Sequence, residues 1–136
     1  MLTVEPFVFD QLAKTLRERF EGIRVIAHEI RQSPKFPVVT IEETSNTVAL
    51  GTITYDFKDH FVNLVYTINI YSDLPEGEGK RQMREIAAVI DEWMSAHGMT
   101  RHTYTDMSNY QVSITRMVLK YYCVYSDEGL VYKPMT

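Results

Sequence analysis

The segment that most constrains the fold is FVNLVYTINIYS at residues 61–72, in which apolar side chains occupy every second position. One face of this segment carries Val62, Leu64, Tyr66, Ile68 and Ile70. The other face is mixed and carries Asn63, Val65, Thr67, Asn69 and Tyr71. A period of two residues is typical of a β-strand. Because the second face is half polar, we expect a sheet that other elements cover on one side only.

Two other segments have the spacing of amphipathic helices. The first apolar stripe consists of Phe9, Leu12, Ala13, Leu16 and Phe20. The second consists of Met83, Ile86, Ala87, Ile90 and Met94. Gly22 and Gly98 follow the two stripes, and glycine commonly stands just past the last helical turn. Since each helix has a single apolar stripe, we expect both helices to pack on the same face of the sheet.

The remaining strands complete the predicted fold. Strand patterns occur at residues 23–30, 38–43, 101–106 and 111–125, with a short edge strand in the tail GLVYK. The turn residues of RQSPKFP favour a hairpin-like pairing of the first two strands, and a slip in facing parity predicts a bulge near Arg116. Residues 44–60 form either an extra hairpin or an extended arm. The prediction is a single domain over residues 1–136 with the order α-β-β-β-α-β-β. Its class is α+β, a two-layer sandwich with two helices packed on one face of a mixed, mainly antiparallel sheet.

Composition excludes several classes of protein. The chain has 136 residues, of which 45% are hydrophobic and 24% charged, the balance of an ordinary globular domain. Its net charge of −4 gives no general attraction to nucleic acid or an anionic membrane. A single cysteine forms no internal disulfide and suits a reducing compartment. We expect no signal peptide, because the first 20 residues lack a basic region before an apolar core, and no membrane span, because no apolar run approaches roughly 20 residues.

Motifs for cofactor or metal chemistry are not found. Cys123 lies within an apolar strand, which favours a buried small side chain over a nucleophile. The GEGK run at residues 77–80 has Leu74 and Arg81 where a phosphate-binding loop needs Gly and Ser or Thr. The four histidines lack the spacing of a zinc site and are His28, His60, His97 and His102. We therefore expect no cofactor, no metal and no enzymatic activity.

The carboxylates and the tyrosines are compatible with more than one role. Glu42 and Glu43 are neighbours in a strand and point to opposite faces, so they form no acid–base pair. The nine tyrosines suit a protein interface, and equally suit half-buried strands. RNA could stack on Tyr121 and Tyr122 beside basic residues. The net negative charge of the chain and the lack of a glycine-aromatic RNA-recognition signature disfavour this function.

Three runs in order resemble the small tail-completion, or tail-terminator, proteins of long-tailed bacteriophages. They are FPVVTIEETSNT, LVYTINIYSDLPEGEGKRQMREIAAVIDEWMSAHGMTR and ITRMVLKYYCVYSDEGLVYK. The shared pattern is a strand ending in acidic residues and Asn, then Ile-Tyr-Ser before a glycine-containing loop and helix, and then Arg and Tyr in the last strands. In this chain these positions are Ile41, Glu42, Glu43, Asn46, Ile70, Tyr71, Ser72, Gly98, Arg101, Arg116, Tyr121, Val131 and Tyr132. The resemblance covers roughly residues 6–133 and lies in the order of the motifs.

The resemblance implies a homo-oligomeric ring, usually a hexamer, that caps the tail tube and joins it to the head connector. The implied partners are further copies of the chain, the tail tube protein and head–tail connector proteins, with DNA only as passing cargo and no membrane. The implied location is the virion at the head–tail interface, with the host cytoplasm during assembly. Candidate interface residues are Asp56, Phe57, Lys58, Tyr71, Arg101, Arg116, Tyr121 and Tyr132. Glu42 and Glu43 are candidate channel-facing residues, because carboxylates would let DNA phosphates slide past.

Three alternatives remain at this point. A head-completion or connector protein belongs to the same structural class. A small α+β ligand-binding domain or enzyme would use a cleft between sheet and helices, with His28, Glu29 and Arg116 converging in it. An RNA-binding module would use the uncovered sheet face.

Overall fold

The structure, a computed structural model, describes residues 5–27, 36–48, 61–109, 114–126 and 131–132. Within these residues there are two helices and six strands. The helices are α1 (Glu5–Arg19) and α2 (Glu76–Ala96). The strands are β1 (Arg24–Ile26), β2 (Val38–Val48), β3 (Phe61–Ser72), β4 (Thr100–Asn109), β5 (Ile114–Ser126) and β6 (Val131–Tyr132).

The strands form one mixed sheet in the order β1-β2-β3-β5-β4, and β6 also pairs with β5. All neighbouring pairs are antiparallel except β1 and β2, which are parallel. Since β5 runs antiparallel to both of its neighbours, β3 and β4 run parallel with β5 between them. The predicted α+β fold, with helices on a mixed sheet, is therefore confirmed.

The core lies between the helices and one face of the sheet. The predicted stripes of both helices are buried or partly buried there, with Val8 as a further member. The sheet contributes every second residue of its two long central strands: Leu64, Tyr66, Ile68 and Ile70 from β3, and Met117, Leu119, Tyr121 and Cys123 from β5. The alternation of β3 predicted from sequence is thus confirmed, and Cys123 is the small buried side chain expected of it.

The pairing of β1 with β2 differs from the prediction. Arg24 lies beside Val38 in a parallel register, so these strands are not a hairpin. Parallel strands cannot be joined by a tight turn, whatever the turn chemistry of the intervening prolines. Prolines favour a turn without determining the direction in which the chain returns.

The bulges also lie elsewhere. The ladder between β3 and β5 is uninterrupted from Phe61↔Ser126 to Ser72↔Thr115, so the bulge predicted near Arg116 is wrong. Ile114 simply begins β5 on the face away from the core. Register shifts occur instead in β2, between Glu43 and Ser45, and in β4, between Arg101 and Thr103.

Two further predictions concern the arm at residues 44–60 and the edge strand in the tail. Residues 44–48 of the predicted arm are part of β2, which pairs with β3 as far as Val48↔Val62. The rest of that arm, residues 49–60, lies outside the described residues. The tail forms the predicted edge strand, because β6 pairs with β5 at Val124↔Tyr132.

Glycines shape both ends of α2. Gly98 has a φ of +81°, and Met99 N–H donates to the Met94 carbonyl at 2.9 Å, the bonding of a glycine-terminated helix. At the other end the GEGK run is helical, and Gly79 packs against the ends of β3 and β5. A Cβ there would lie 2.9 Å from Thr115 Oγ1. No helix among the described residues is long and apolar enough to cross a membrane.

Candidate functional site

The sheet face turned away from the helices, here called the distal face, carries polar side chains that hydrogen-bond to one another across strands. Paired residues in adjacent strands share a face, so the registers assign its members. They include Arg24 and Ile26 from β1, Val38, Thr40, Glu42, Ser45 and Thr47 from β2, Asn63, Val65, Thr67, Asn69 and Tyr71 from β3, Thr100, Thr103 and Thr105 from β4, and Ile114, Arg116, Val118, Lys120, Tyr122 and Val124 from β5.

A hydrogen-bonded network spans three strands on the distal face. Arg116 donates from Nε and Nη2 to Asn69 Oδ1, at 3.0 and 2.7 Å. The Asn69 amide donates in turn to Thr40 Oγ1 at 3.1 Å. Thr40 is 2% exposed and Asn69 is 8% exposed, so this polar chain is anchored below the surface. The network fixes the Arg116 guanidinium in one orientation.

The flanks of the guanidinium are also defined. Its carbon lies 5.6 Å from the centre of the Tyr71 ring, within reach of a cation–π interaction. Among the described residues, no carboxylate oxygen comes within ion-pair distance of Arg116. The charge is therefore held by a neutral amide and an aromatic ring rather than by an acid.

A second surface lies on the other side of the sheet, beside β4. A groove of about 280 Å³ separates α2 from β4 and is lined by Arg84, Ala87, Ala88, Asp91, Arg101, Tyr104 and Leu119. Arg101 lies 3.8 Å from Asp91 and stacks near Tyr104, at 5.8 Å from the ring centre. Tyr104 is 42% exposed. Within the described part of the chain β4 pairs only with β5, which leaves its outer edge beside this groove.

Glu42 and Glu43 lie on opposite faces, as the sequence predicts. Glu42 is exposed on the distal face, in one row with Thr67 and Lys120. Glu43 lies on the helix side and accepts a hydrogen bond of 3.1 Å from the buried Tyr66 hydroxyl. That either of them faces a channel stays a prediction.

Neither a metal-binding cluster nor an activated thiol is found among the described residues. No three His, Cys, Asp or Glu side chains there lie close enough together to hold a metal ion. Cys123 is buried, and burial together with the charge of Glu43 raises the pKa of its thiol to about 11. A thiol with such a pKa is a poor nucleophile near neutral pH.

The structure separates the predicted interface residues. It brings Tyr71 and Arg116 together on the distal face and places Arg101 on the opposite side, at the groove. Tyr121 is 1% exposed beneath α2, so its side chain contributes to the core rather than to a surface. Tyr132 lies in β6 at the β4 side of the sheet. Asp56, Phe57 and Lys58 lie outside the described residues.

The predicted cleft site is also revised. His28 and Glu29 lie outside the described residues, and Arg116 lies on the face away from the helices. Arg116 is therefore not part of a cleft between sheet and helices.

Sequence analysis missed Asn69, Thr40, Asp91 and Tyr104. The two asparagines in β3 were the available signal, because asparagine is depleted in strands and needs a partner when buried.

No protein-family model matches the chain, and no curated protein matches it in sequence.

Proposed function

We propose that this chain is a structural subunit of a long-tailed bacteriophage, a tail terminator whose copies form a ring between the tail tube and the head connector. The order of motifs along the sequence supports this proposal. The supporting structural feature is the edge of β4 with the adjoining groove, a surface suited to an extended segment of another copy.

The edge of β4 supplies the main-chain part of such a contact. An edge strand presents unpaired N–H and C=O groups that accept an additional strand. β4 is 10 residues long, enough for a continuous ladder. Alternate side chains of an added strand would enter the groove over Ala87, Ala88 and Leu119.

The groove also favours an acidic neighbour. Two cations, Arg84 and Arg101, line it against one carboxylate, Asp91, which also accepts a hydrogen bond from Tyr121. The chain as a whole carries −4, so a second copy offers complementary charge. A contact between two different patches is heterologous, and a heterologous contact closes into a ring when the rotation allows it.

The test is electron microscopy of lysates from a phage in which this gene is interrupted. Filled heads beside unattached tails of irregular or excessive length are expected. Intact infectious particles would overturn the assembly role. Tails of normal length beside heads that leak DNA would overturn the terminator role and assign the chain to head completion.

A complementation arm then tests the groove itself. Wild-type protein supplied from a plasmid should restore joined particles, and Tyr104→Glu should not, because a carboxylate in the groove would repel an acidic neighbouring segment. Gln11→Glu on α1 is the matched control, since it adds the same charge at an exposed site near the opposite edge of the sheet, by β1 and β2. Equal rescue by both variants would exclude the β4 edge as the contact.

A further inference from the structure

The geometry of Arg116 points to an additional binding site, on the distal face. We infer that Arg116 is a preorganised receptor for a carboxylate carried by a neighbouring copy of this chain. The identity of the partner rests on the proposed ring, whereas the receptor chemistry rests on the network alone.

The guanidinium has donors left over after the network is satisfied. Arginine carries five N–H donors. One from Nε and one from Nη2 are used on Asn69 Oδ1. The two on Nη1 and the second on Nη2 have no acceptor among the described residues. The second N–H of Nη2 and one N–H of Nη1 are parallel and form the end edge of the guanidinium, which matches a carboxylate with two parallel hydrogen bonds.

The side chain is also held in place before any ligand arrives. Ordering a free arginine costs about 1.5–2 kcal/mol of rotamer entropy. Here Asn69, fixed by the buried Thr40, has already ordered the side chain from its inner edge. Tyr71 flanks it at 5.6 Å. Binding at the outer edge therefore avoids much of that cost.

Charge distribution identifies the ligand. The described residues of the distal face include three cations, Arg24, Arg116 and Lys120, and one carboxylate, Glu42. That makes the face +2, whereas the remaining described residues carry seven cations and twelve carboxylates and sum to −5. The distal face of one copy and the remainder of the next are thus complementary, as a head-to-tail contact requires.

A protein carboxylate fits this face better than a nucleic-acid phosphate. Binding a nucleic-acid backbone requires a track of cations that neutralises several phosphates. Here Glu42 lies in the same row as Lys120, at Glu42↔Thr67↔Lys120, and interrupts such a track. The single fixed fork at Arg116 suits one carboxylate.

The receptor can be tested on the purified chain with sodium acetate as the probe. Side-chain ¹⁵N NMR should show the Arg116 Nε–H signal moving saturably with acetate, relative to sodium chloride at equal ionic strength. Asn69→Ala releases the fork and should weaken the response about 10-fold or more. Lys120→Gln removes one positive charge from the same face and leaves the fork in place, so it should weaken the response by less than about 2-fold. No saturable response, or equal effects of the two variants, would overturn the receptor.

Complementation of the interrupted phage tests the partner. Arg116→Gln and Arg116→Lys should each reduce joined particles about 10- to 100-fold, because glutamine lacks both charge and fork and lysine keeps only the charge. Lys120→Gln lowers the charge of the face and leaves the fork in place, so it should rescue to within about 2-fold of the wild type. The interrupted phage could show the terminator phenotype and yet be rescued fully by Arg116→Gln. That result would overturn this inference and leave the proposed function standing. Intact particles without the gene would overturn the proposed function, and the acetate titration would still decide the receptor. Far-ultraviolet circular dichroism of each variant shows that it folds.

Discussion

The hydroxyl of Tyr121 in β5 donates a hydrogen bond of 2.8 Å to Asp91 Oδ1 on α2, joining the sheet to the helix that covers it. Burial raises the pKa of the Tyr121 phenol, and the hydrogen bond to Asp91 and the charge of Asp91 raise it further, whereas Arg101 lowers it. The phenol therefore stays protonated and continues to donate at all ordinary pH values. The Tyr121 hydroxyl, which folding removes from water, is thus hydrogen-bonded to Asp91 at the surface of α2.

Replacing Tyr121 with Phe should lower the free energy of unfolding by about 1–2 kcal/mol, because the hydrogen bond goes to a charged group that water partly compensates. Urea unfolding followed by the single tryptophan measures the loss. Tyr122→Phe is the matched control, since its hydroxyl bonds to no described residue. Equal losses in the two variants would show that the bond to Asp91 contributes nothing specific.

Gly79→Ala should destabilise the protein by about 1–3 kcal/mol, despite the higher helix propensity of alanine. The added Cβ would lie 2.9 Å from Thr115 Oγ1 and 3.1 Å from the Leu74 carbonyl oxygen. Gly77→Ala in the same helical turn is the control, because its Cβ meets nothing within 4 Å. Thermal unfolding should show a lower midpoint for the first variant and an unchanged or higher midpoint for the second.

Thr40→Val should cost about 1–3 kcal/mol, because it keeps the shape of the side chain and removes the acceptor of the buried Asn69 amide. Thr47→Val, on the same strand and exposed, should change stability by less than about 0.5 kcal/mol. Chemical denaturation of both variants measures the difference. A stability equal to the wild type in Thr40→Val would mean that Asn69 finds another acceptor.

The elements that could be predicted from sequence are those whose burial is periodic along the chain. Both helices and β3 have one apolar face that a single core covers, so spacing alone identifies them. Pairing is different, because it depends on residues distant in sequence. The prolines before Val38 indicate a turn equally well for a parallel or an antiparallel partner, and the parallel pairing of β1 and β2 is set by the sheet as a whole.

The distal-face network could not be predicted from local sequence patterns for the same reason. Arg116 and Asn69 are separated by 47 positions and meet only through the register of β3 and β5. Arg116 and Tyr71 were predicted as interface residues, yet nothing in their neighbours indicated that they pair. Tyr121 and Tyr71 both lie in strands with alternating apolar residues. Tyr121 is buried and Tyr71 is not, because α2 packs on the face of the sheet that carries Tyr121.

Cys123 should make stability fall at alkaline pH. Its thiol has a pKa of about 11 in the folded chain, raised by burial and by Glu43, against about 8.5–9 in an unfolded chain. From about pH 9 to pH 11 the unfolded state therefore loses the proton first, and the free energy of unfolding decreases as pH rises. Urea unfolding of the wild type and Cys123→Ala across this range should give a steeper decline for the wild type. Parallel curves for the two proteins would show that the thiol titrates normally in the folded chain.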